Sequence, residues 1–192
     1  EEEAVITYDN EKVSEKQIKE WKEKHGGVYQ IEVDEKVGYL RAPKMKDFKR
    51  GFSALQDDSE IAFGEEMLNT LWLGGDEELR KDDEYFLSAR KEVSKLLKYD
   101  DAEIIPSDRD HIIKIGDEQV TVRVITREDL KLAEKKNPSQ KPFVTQEALF
   151  DLIKIGEVPA AFEDRDNAEI RFPLYGAIQK LQNKKVSQLK KL

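Results

Sequence analysis

The stretch from Ser59 to Leu97 constrains the fold most, because it predicts two amphipathic helices joined by an acidic, glycine-containing connector, Gly74–Glu78. Ser59 is a typical N-cap residue. Acidic residues 82–84 favour the start of the second helix, since carboxylates stabilise the positive end of a helix. The apolar residues of the first helix lie all around its axis, which is typical of a buried helix: Ile61, Phe63, Met67, Leu68, Leu71 and Trp72.

The residues before this stretch predict a helix, a hairpin and another helix. Ser14 begins a capping box, and Gly26–Gly27 is a suitable helix end, so we expect a helix over residues 15–25. Residues 28–40 alternate between apolar and polar side chains, as in a β-hairpin. Apolar residues at helical spacing follow Pro43 and predict the next helix.

The second half predicts a similar series of elements. Residues 103–110 are polar and contain Pro106, which is typical of a linker. Capping residues and apolar stripes then indicate further helices. The expected elements are a hairpin over residues 111–125, helices capped by Thr126 and Thr145, and a last helix from about Pro173 to Leu189.

We therefore predict an α+β protein of two related halves, each a small β-hairpin packed with about three helices. The predicted domains are residues 1–102 and 111–192. Three landmarks recur, at offsets of 83, 82 and 86 residues: the hairpin turns at Asp34 and Asp117, then Phe48 and Leu130, then Ser59 and Thr145. This recurrence indicates internal duplication, although a hairpin followed by helices is common enough to recur by chance.

Charge and composition exclude several kinds of partner. The net charge of −8 resides in residues 1–100, while residues 101–192 are neutral, so nucleic-acid binding by the acidic half is disfavoured. The chain has no cysteine, which excludes disulfides and thiolate chemistry. No apolar run approaches the length of a membrane span, so we expect a soluble protein without a membrane partner.

Patterns that carry catalytic or cofactor chemistry are missing from the sequence. The two histidines, His25 and His111, lie in different halves, and each is interpreted as a surface or packing residue. Helix initiation explains the acidic run 76–84 better than calcium binding, because the run lacks the alternating ligand positions of an EF-hand. We expect no enzyme activity, cofactor or metal; a hydrolase using scattered carboxylates is the weakest alternative.

The first half carries a distinctive order of motifs: His25-Gly26, Val28–Val33, Tyr39–Pro43, Met67–Asn69, Trp72–Glu78 and Asp82–Leu87. In this order, about residues 15–100 resemble the tail assembly chaperone-like proteins of bacteriophages. The resemblance implies a non-enzymatic assembly factor that coats or guides the tape-measure and tube proteins while the tail is built. The second half shows no such resemblance, which makes a permanent ring or connector subunit of the virion a competing interpretation.

We therefore expect a bacteriophage morphogenesis protein that acts through protein–protein contacts, in the host cytoplasm or in the virion. A phage-encoded inhibitor that binds a host protein is the alternative from a different class. Expected partners are tape-measure, tube or connector proteins and further copies of the chain. The lysine-rich end after Lys180 suits either an acidic partner or a helix dipole. Residues expected to contact a partner are Trp72, Leu73, Gly74, Gly75, Asp76, Tyr85, Phe86, Lys184 and Lys185.

Overall fold

The computed structural model describes residues 6–192, so the first five residues of the predicted first domain lie outside it. The chain divides into unit 1, which ends at Lys98, and unit 2, which covers Tyr99–Leu192. Each unit combines helices with an antiparallel sheet, which confirms the predicted α+β class. Within the described residues, no helix is long and apolar enough to cross a membrane.

Unit 1 contains a three-stranded sheet. In chain order, helical segments precede the first strand, lie between the second and third strands, and follow the third strand. Its elements are α1 (Glu15–His25), β1 (Val28–Val33), β2 (Lys36–Arg41), α2 (Met45–Asp57), α3 (Glu60–Leu71), β3 (Trp72–Gly75), α4 (Glu78–Lys81), α5 (Asp83–Val93) and a 3-10 helix (Ser94–Leu97). β1 and β2 form the predicted hairpin around Asp34-Glu35. β3 pairs with the other side of β2, so the strand order is β1-β2-β3.

The predicted N-caps at Ser14 and Ser59 and the helix end at Gly26 are confirmed. Gln17 N donates a hydrogen bond to Ser14 Oγ, and Ala62 N donates one to Ser59 Oγ, each over 3.2 Å. Gly26 ends α1 with a φ of 71°, a conformation that glycine adopts at little cost. The buried side chains between sheet and helices include Ile31, Leu40, Met45, Phe48, Met67, Leu68, Leu71, Leu79 and Phe86.

Unit 2 contains a four-stranded sheet in the order β4-β5-β6-β7. Its elements are β4 (Glu103–Ser107), β5 (Asp110–Ile115), β6 (Glu118–Val122), α6 (Arg127–Lys135), α7 (Val144–Ile153), β7 (Lys154–Ile155), α8 (Ala160–Glu163) and α9 (Ala168–Gln182). The predicted linker at residues 103–110 is wrong, because β4 pairs with β5 there. Backbone pairing with β5 outweighs the polar composition and Pro106 in this segment.

Two helix predictions in unit 2 are also wrong. Thr145 does not cap α7: its Oγ1 accepts a hydrogen bond from Asn137 Nδ2 (3.0 Å), and the helix begins after Phe143, whose φ is 68°. The last helix starts before Pro173 and ends at Gln182, so the predicted extension to Leu189 does not form. Residues 183–192 lie outside any helix, and their apolar side chains are fully exposed.

The two units share a series of elements, and many corresponding positions lie 82 residues apart. The Leu40–Trp72 pair between β2 and β3 corresponds to the Val122–Lys154 pair between β6 and β7. The offset also relates the starts of β1 and β5, the ends of α3 and α7, and all of α4 and α8. These positions replace the offset of 83 from the hairpin turns with 82, and the helix starts after Ser59 and Phe143 replace the offset of 86 with 84. The recurrence favours the interpretation as a duplication.

An arginine–aspartate pair recurs at the same place in both units, where the strand leads into the next helix. Arg41 donates from Nη1 and Nη2 to Asp47 over 2.7 and 2.9 Å, and Arg123 does so to Asp129 over 2.6 and 2.8 Å. Each aspartate is buried and also accepts from a backbone N–H at the helix start. The pair therefore fixes the strand-to-helix corner in each unit.

Replacing Asp129 with Asn is expected to lower stability and to change its dependence on pH. Hydrogen bonds from Arg123 and Thr126 hold the pKa of Asp129 well below its usual value, although burial opposes this. A lowered pKa in the folded state contributes stability that is present above about pH 4, the unfolded value, and is lost as pH falls further. We expect Asp129→Asn to cost about 2 kcal/mol at neutral pH and to lose less stability below pH ~4. Urea unfolding at several pH values measures this; parallel curves would contradict it.

Candidate functional site

The predicted contact residues around Trp72 form a packed corner of unit 1. The Trp72 ring lies against β2, where a Cβ added at Gly38 would come within 2.5 Å of its Cη2. The Arg80 guanidinium lies over the ring at 4.7 Å from the centroid, a cation–π contact. Trp72 is therefore held between β2 and α4, with only part of its surface available to a partner.

The acidic residues of the same corner are bonded within unit 1. Asp76 Oδ2 accepts a hydrogen bond from Val37 N (2.9 Å), and Asp76 N donates to Val37 O (2.8 Å). Asn10 Nδ2 donates to Glu78 Oε2 (2.7 Å), and Lys36 Nζ lies 3.2 Å from Glu78 Oε1. Burial alone would raise the pKa of Glu78, but these hydrogen bonds lower it. The contacts of Asp76 and Glu78 therefore hold the segment around β3 and α4 against the β1–β2 hairpin.

The structure separates the predicted contact residues into two groups with different exposure. In unit 1, Leu73, Gly74, Gly75 and Tyr85 are half-buried like Trp72, and Phe86 is buried at 7% exposure. In unit 2, Lys184 and Lys185 are exposed and lie beyond the end of α9. Lys184 borders a cavity whose lining does not include Lys185.

That cavity is a groove of about 550 Å³ in unit 2, which the sequence did not predict. The lining residues come from β4, β5 and the end of α9: Ile104, Pro106, His111, Gln179, Lys180, Leu181, Asn183 and Lys184. His111 is 8% exposed, and its Nε2 lies 3.2 Å from Lys184 Nζ. The alternation of β5 places His111 on the same face as buried Ile113, and this polar residue on an apolar face is the one sequence signal for the groove.

The groove combines apolar walls with cationic and amide groups. Lys184 can only donate, so this contact requires His111 Nε2 as its acceptor. His111 Nδ1 is buried, and within the described chain it has no hydrogen-bond partner. Lys180 Nζ lies 3.7 Å from Asp101, an exposed ion pair that contributes little. Such a groove suits an acidic group attached to an apolar segment.

Comparisons with known proteins do not identify the chain. No protein-family model, curated protein or solved structure matches it. Within residues 6–192, no three His, Asp or Glu side chains are grouped so that they could hold a metal ion.

A second polar cluster lies inside unit 2, around the buried Arg171. Arg171 is 1% exposed; its Nη2 donates to Phe162 O, and its Nη1 lies 3.3 Å from Tyr175 Oη. The Tyr175 hydroxyl donates to Glu147 Oε2 (3.2 Å), and burial raises the pKa of Tyr175 to about 12. Tyr175 therefore stays protonated at neutral pH, and the cluster joins α7, α8 and α9 as part of the core.

Proposed function

We propose that this chain is a non-catalytic bacteriophage morphogenesis protein that acts through protein–protein contacts, in the manner of a tail assembly chaperone. The proposal is supported in unit 1 by the sequence resemblance over about residues 15–100. The observation that carries it is the groove of unit 2, where Lys184 and Lys180 border apolar walls. Charge complementarity favours an acidic, partly aliphatic segment of another virion protein as the bound partner.

The hydrogen bonding of three carboxylates, those of Asp47, Glu78 and Asp129, also supports a binding role over a catalytic one. General acid or base catalysis commonly uses a carboxyl group whose pKa is raised in a cleft. Asp47, Glu78 and Asp129 have lowered pKa values instead, because each accepts hydrogen bonds from donors of its own unit. These acids therefore stabilise the fold.

Co-expression with tape-measure or tube protein tests the proposal. We expect the chain to co-purify with one of them and to be absent from mature particles. Fixed stoichiometry in purified virions would overturn the chaperone version and support a permanent virion subunit. Failure to bind any tail protein would contradict the proposal as a whole.

Two charge reversals test the groove itself. Lys184→Glu should weaken the complex by about tenfold or more, because it places a carboxylate beside the bound acidic segment. Lys185→Glu is the matched control: it makes the same charge change at an exposed neighbour that does not line the groove. We expect it to cost less than about threefold, through long-range charge alone. Equal losses in both variants, measured by titration calorimetry, would show that the groove is not the contact surface.

A further inference from the structure

Within residues 6–192, strand β1 leaves one edge of the sheet in unit 1 unpaired. It lies at the end of the order β1-β2-β3, and among the described strands only β2 pairs with it. Gln30 and Glu32 are exposed, and Tyr29 is 49% exposed. A sheet edge of this kind presents backbone N–H and C=O groups that can pair with another strand.

Hydrogen bonds on the neighbouring strand show which residues of β1 direct their backbone groups outward. Both backbone polar groups of Val37 bond to Asp76, on the side of β2 away from β1. The opposing pair Glu32–Val37 is therefore a non-hydrogen-bonded pair of the β1–β2 ladder. Because this pattern alternates along a strand, Val28, Gln30 and Glu32 direct their N–H and C=O groups to the open edge.

The other sheet edges of the described chain are short or blocked. β4 carries Pro106 at an outward position: Ser107 and Asp110 close a two-residue hairpin turn as a hydrogen-bonded pair, so the next pair, Pro106 and His111, is non-hydrogen-bonded. β7 has two residues, and β3 has four residues with a register shift beside it. β1 has six residues and no proline. It is the edge best suited to strand addition.

In unit 2, the edge that corresponds to β1 is paired with an additional strand. There β4 lies antiparallel beside β5, the counterpart of β1, with Ile104 opposite Ile113. Ile113 corresponds to Ile31 of β1 at the offset of 82 residues. The residues of unit 1 that correspond to β4 are 21–25, which belong to α1. Unit 1 therefore has the acceptor edge, and residues 6–98, the described part of this unit, do not provide the strand.

We propose that β1 pairs with β1 of a second copy of this chain, antiparallel and with Ile31 opposite Ile31. Pairing about that residue places Tyr29 opposite Val33 on the core-facing side and Gln30 opposite Glu32 on the other side. Gln30 and Glu32 both direct their backbone groups outward, so they fall in hydrogen-bonded pairs. Apolar residues meet apolar residues and polar meet polar, as in favourable cross-strand pairs. This inference does not rest on the function proposed above.

Analytical ultracentrifugation tests the pairing. The natural chain, of 22.2 kDa, should approach twice that mass as its concentration rises. Gln30→Pro should weaken dimerisation by at least about tenfold, because it removes two hydrogen bonds across the two-fold axis and none from the β1–β2 ladder. Gln30→Thr keeps the N–H and should dimerise like the natural chain. A natural chain that stays monomeric, or a dimer that Gln30→Pro leaves unchanged, would overturn the proposal.

Cysteine cross-linking gives a test that does not depend on a proline. The natural chain has no cysteine, so each introduced thiol is unique. Mixed Gln30→Cys and Glu32→Cys chains should form a heterodimeric disulfide faster than either variant alone, since these positions lie opposite each other at a distance that a disulfide can bridge. Equal rates in the mixture and in the separate variants would contradict the proposed register, and with it the pairing about Ile31.

Discussion

Gly75→Ala is expected to cost about 3 kcal/mol or more of stability, because its backbone and its surroundings both require glycine. Gly75 has a φ of 122°, and a Cβ there would lie 2.4 Å from Val37 O and 2.8 Å from Gly38 Cα. These are backbone atoms of the paired strand β2, so relief requires β3 to move away from β2. Both tryptophans, Trp21 and Trp72, belong to unit 1, so urea unfolding followed by their fluorescence measures the change.

Gly26→Ala is the matched control for this experiment. Gly26 also has a positive φ, 71°, but a Cβ there would meet no atom within 4 Å. We expect a cost of about 1 kcal/mol, from the left-handed conformation alone. The difference between the two variants measures the close approach of β3 to β2. If both variants lost the same stability, the β3 corner would be looser than the structure shows.

Arg171→Ala is expected to cost about 3–5 kcal/mol, the largest effect among the substitutions considered for unit 2. The guanidinium lies 4.9 Å from the Phe150 ring centroid and donates to Phe162 O. Truncation therefore leaves a cavity and an unpaired carbonyl in the core. Urea unfolding followed by circular dichroism measures the loss.

Arg171→Met separates the two contributions. Methionine fills much of the volume but cannot donate to Phe162 O, and Tyr175 keeps its bond to Glu147. Because replacing a buried charge by an apolar side chain of similar volume is often close to neutral, we expect more than half of the lost stability to return. An alanine variant within 1 kcal/mol of the natural chain would contradict the tight packing of Arg171. Equal losses in both variants would show that hydrogen bonding dominates.

Local chemistry predicted much of the fold. The hairpins around residues 34–35 and 116–117 and the caps at Ser14, Ser59 and Thr126 are confirmed, because turn and cap preferences depend on a few adjacent residues. The sequence did not predict β3, β4 and β7, whose segments are short, glycine-rich or interrupted by proline. Their strand conformation depends on pairing with neighbours distant in sequence, and local propensity does not encode that pairing.

The groove of unit 2 was harder to predict than the helices. Lys184 was singled out from the charge pattern, but His111, 73 positions earlier, was interpreted by itself as a packing residue. Only the tertiary fold brings the end of α9 against β4 and β5 and so joins the two side chains. The sequence alone explained the acidic run 76–84 by the preference of carboxylates for the N-terminal end of a helix. The structure adds tertiary partners for it, Val37, Lys36 and Asn10, that spacing alone does not reveal.

The proline in β4 has a consequence for the size of any assembly. A duplicated chain with an open strand edge in each repeat could join neighbours at both ends and grow into a filament. Pro106 interrupts the outer edge of unit 2, so among the described strands only β1 of unit 1 offers a complete edge for joining. In an isologous contact, both copies contribute the same edge, so neither copy has a free edge left for a third copy. The proposed pairing through β1 would therefore stop at a closed pair of chains.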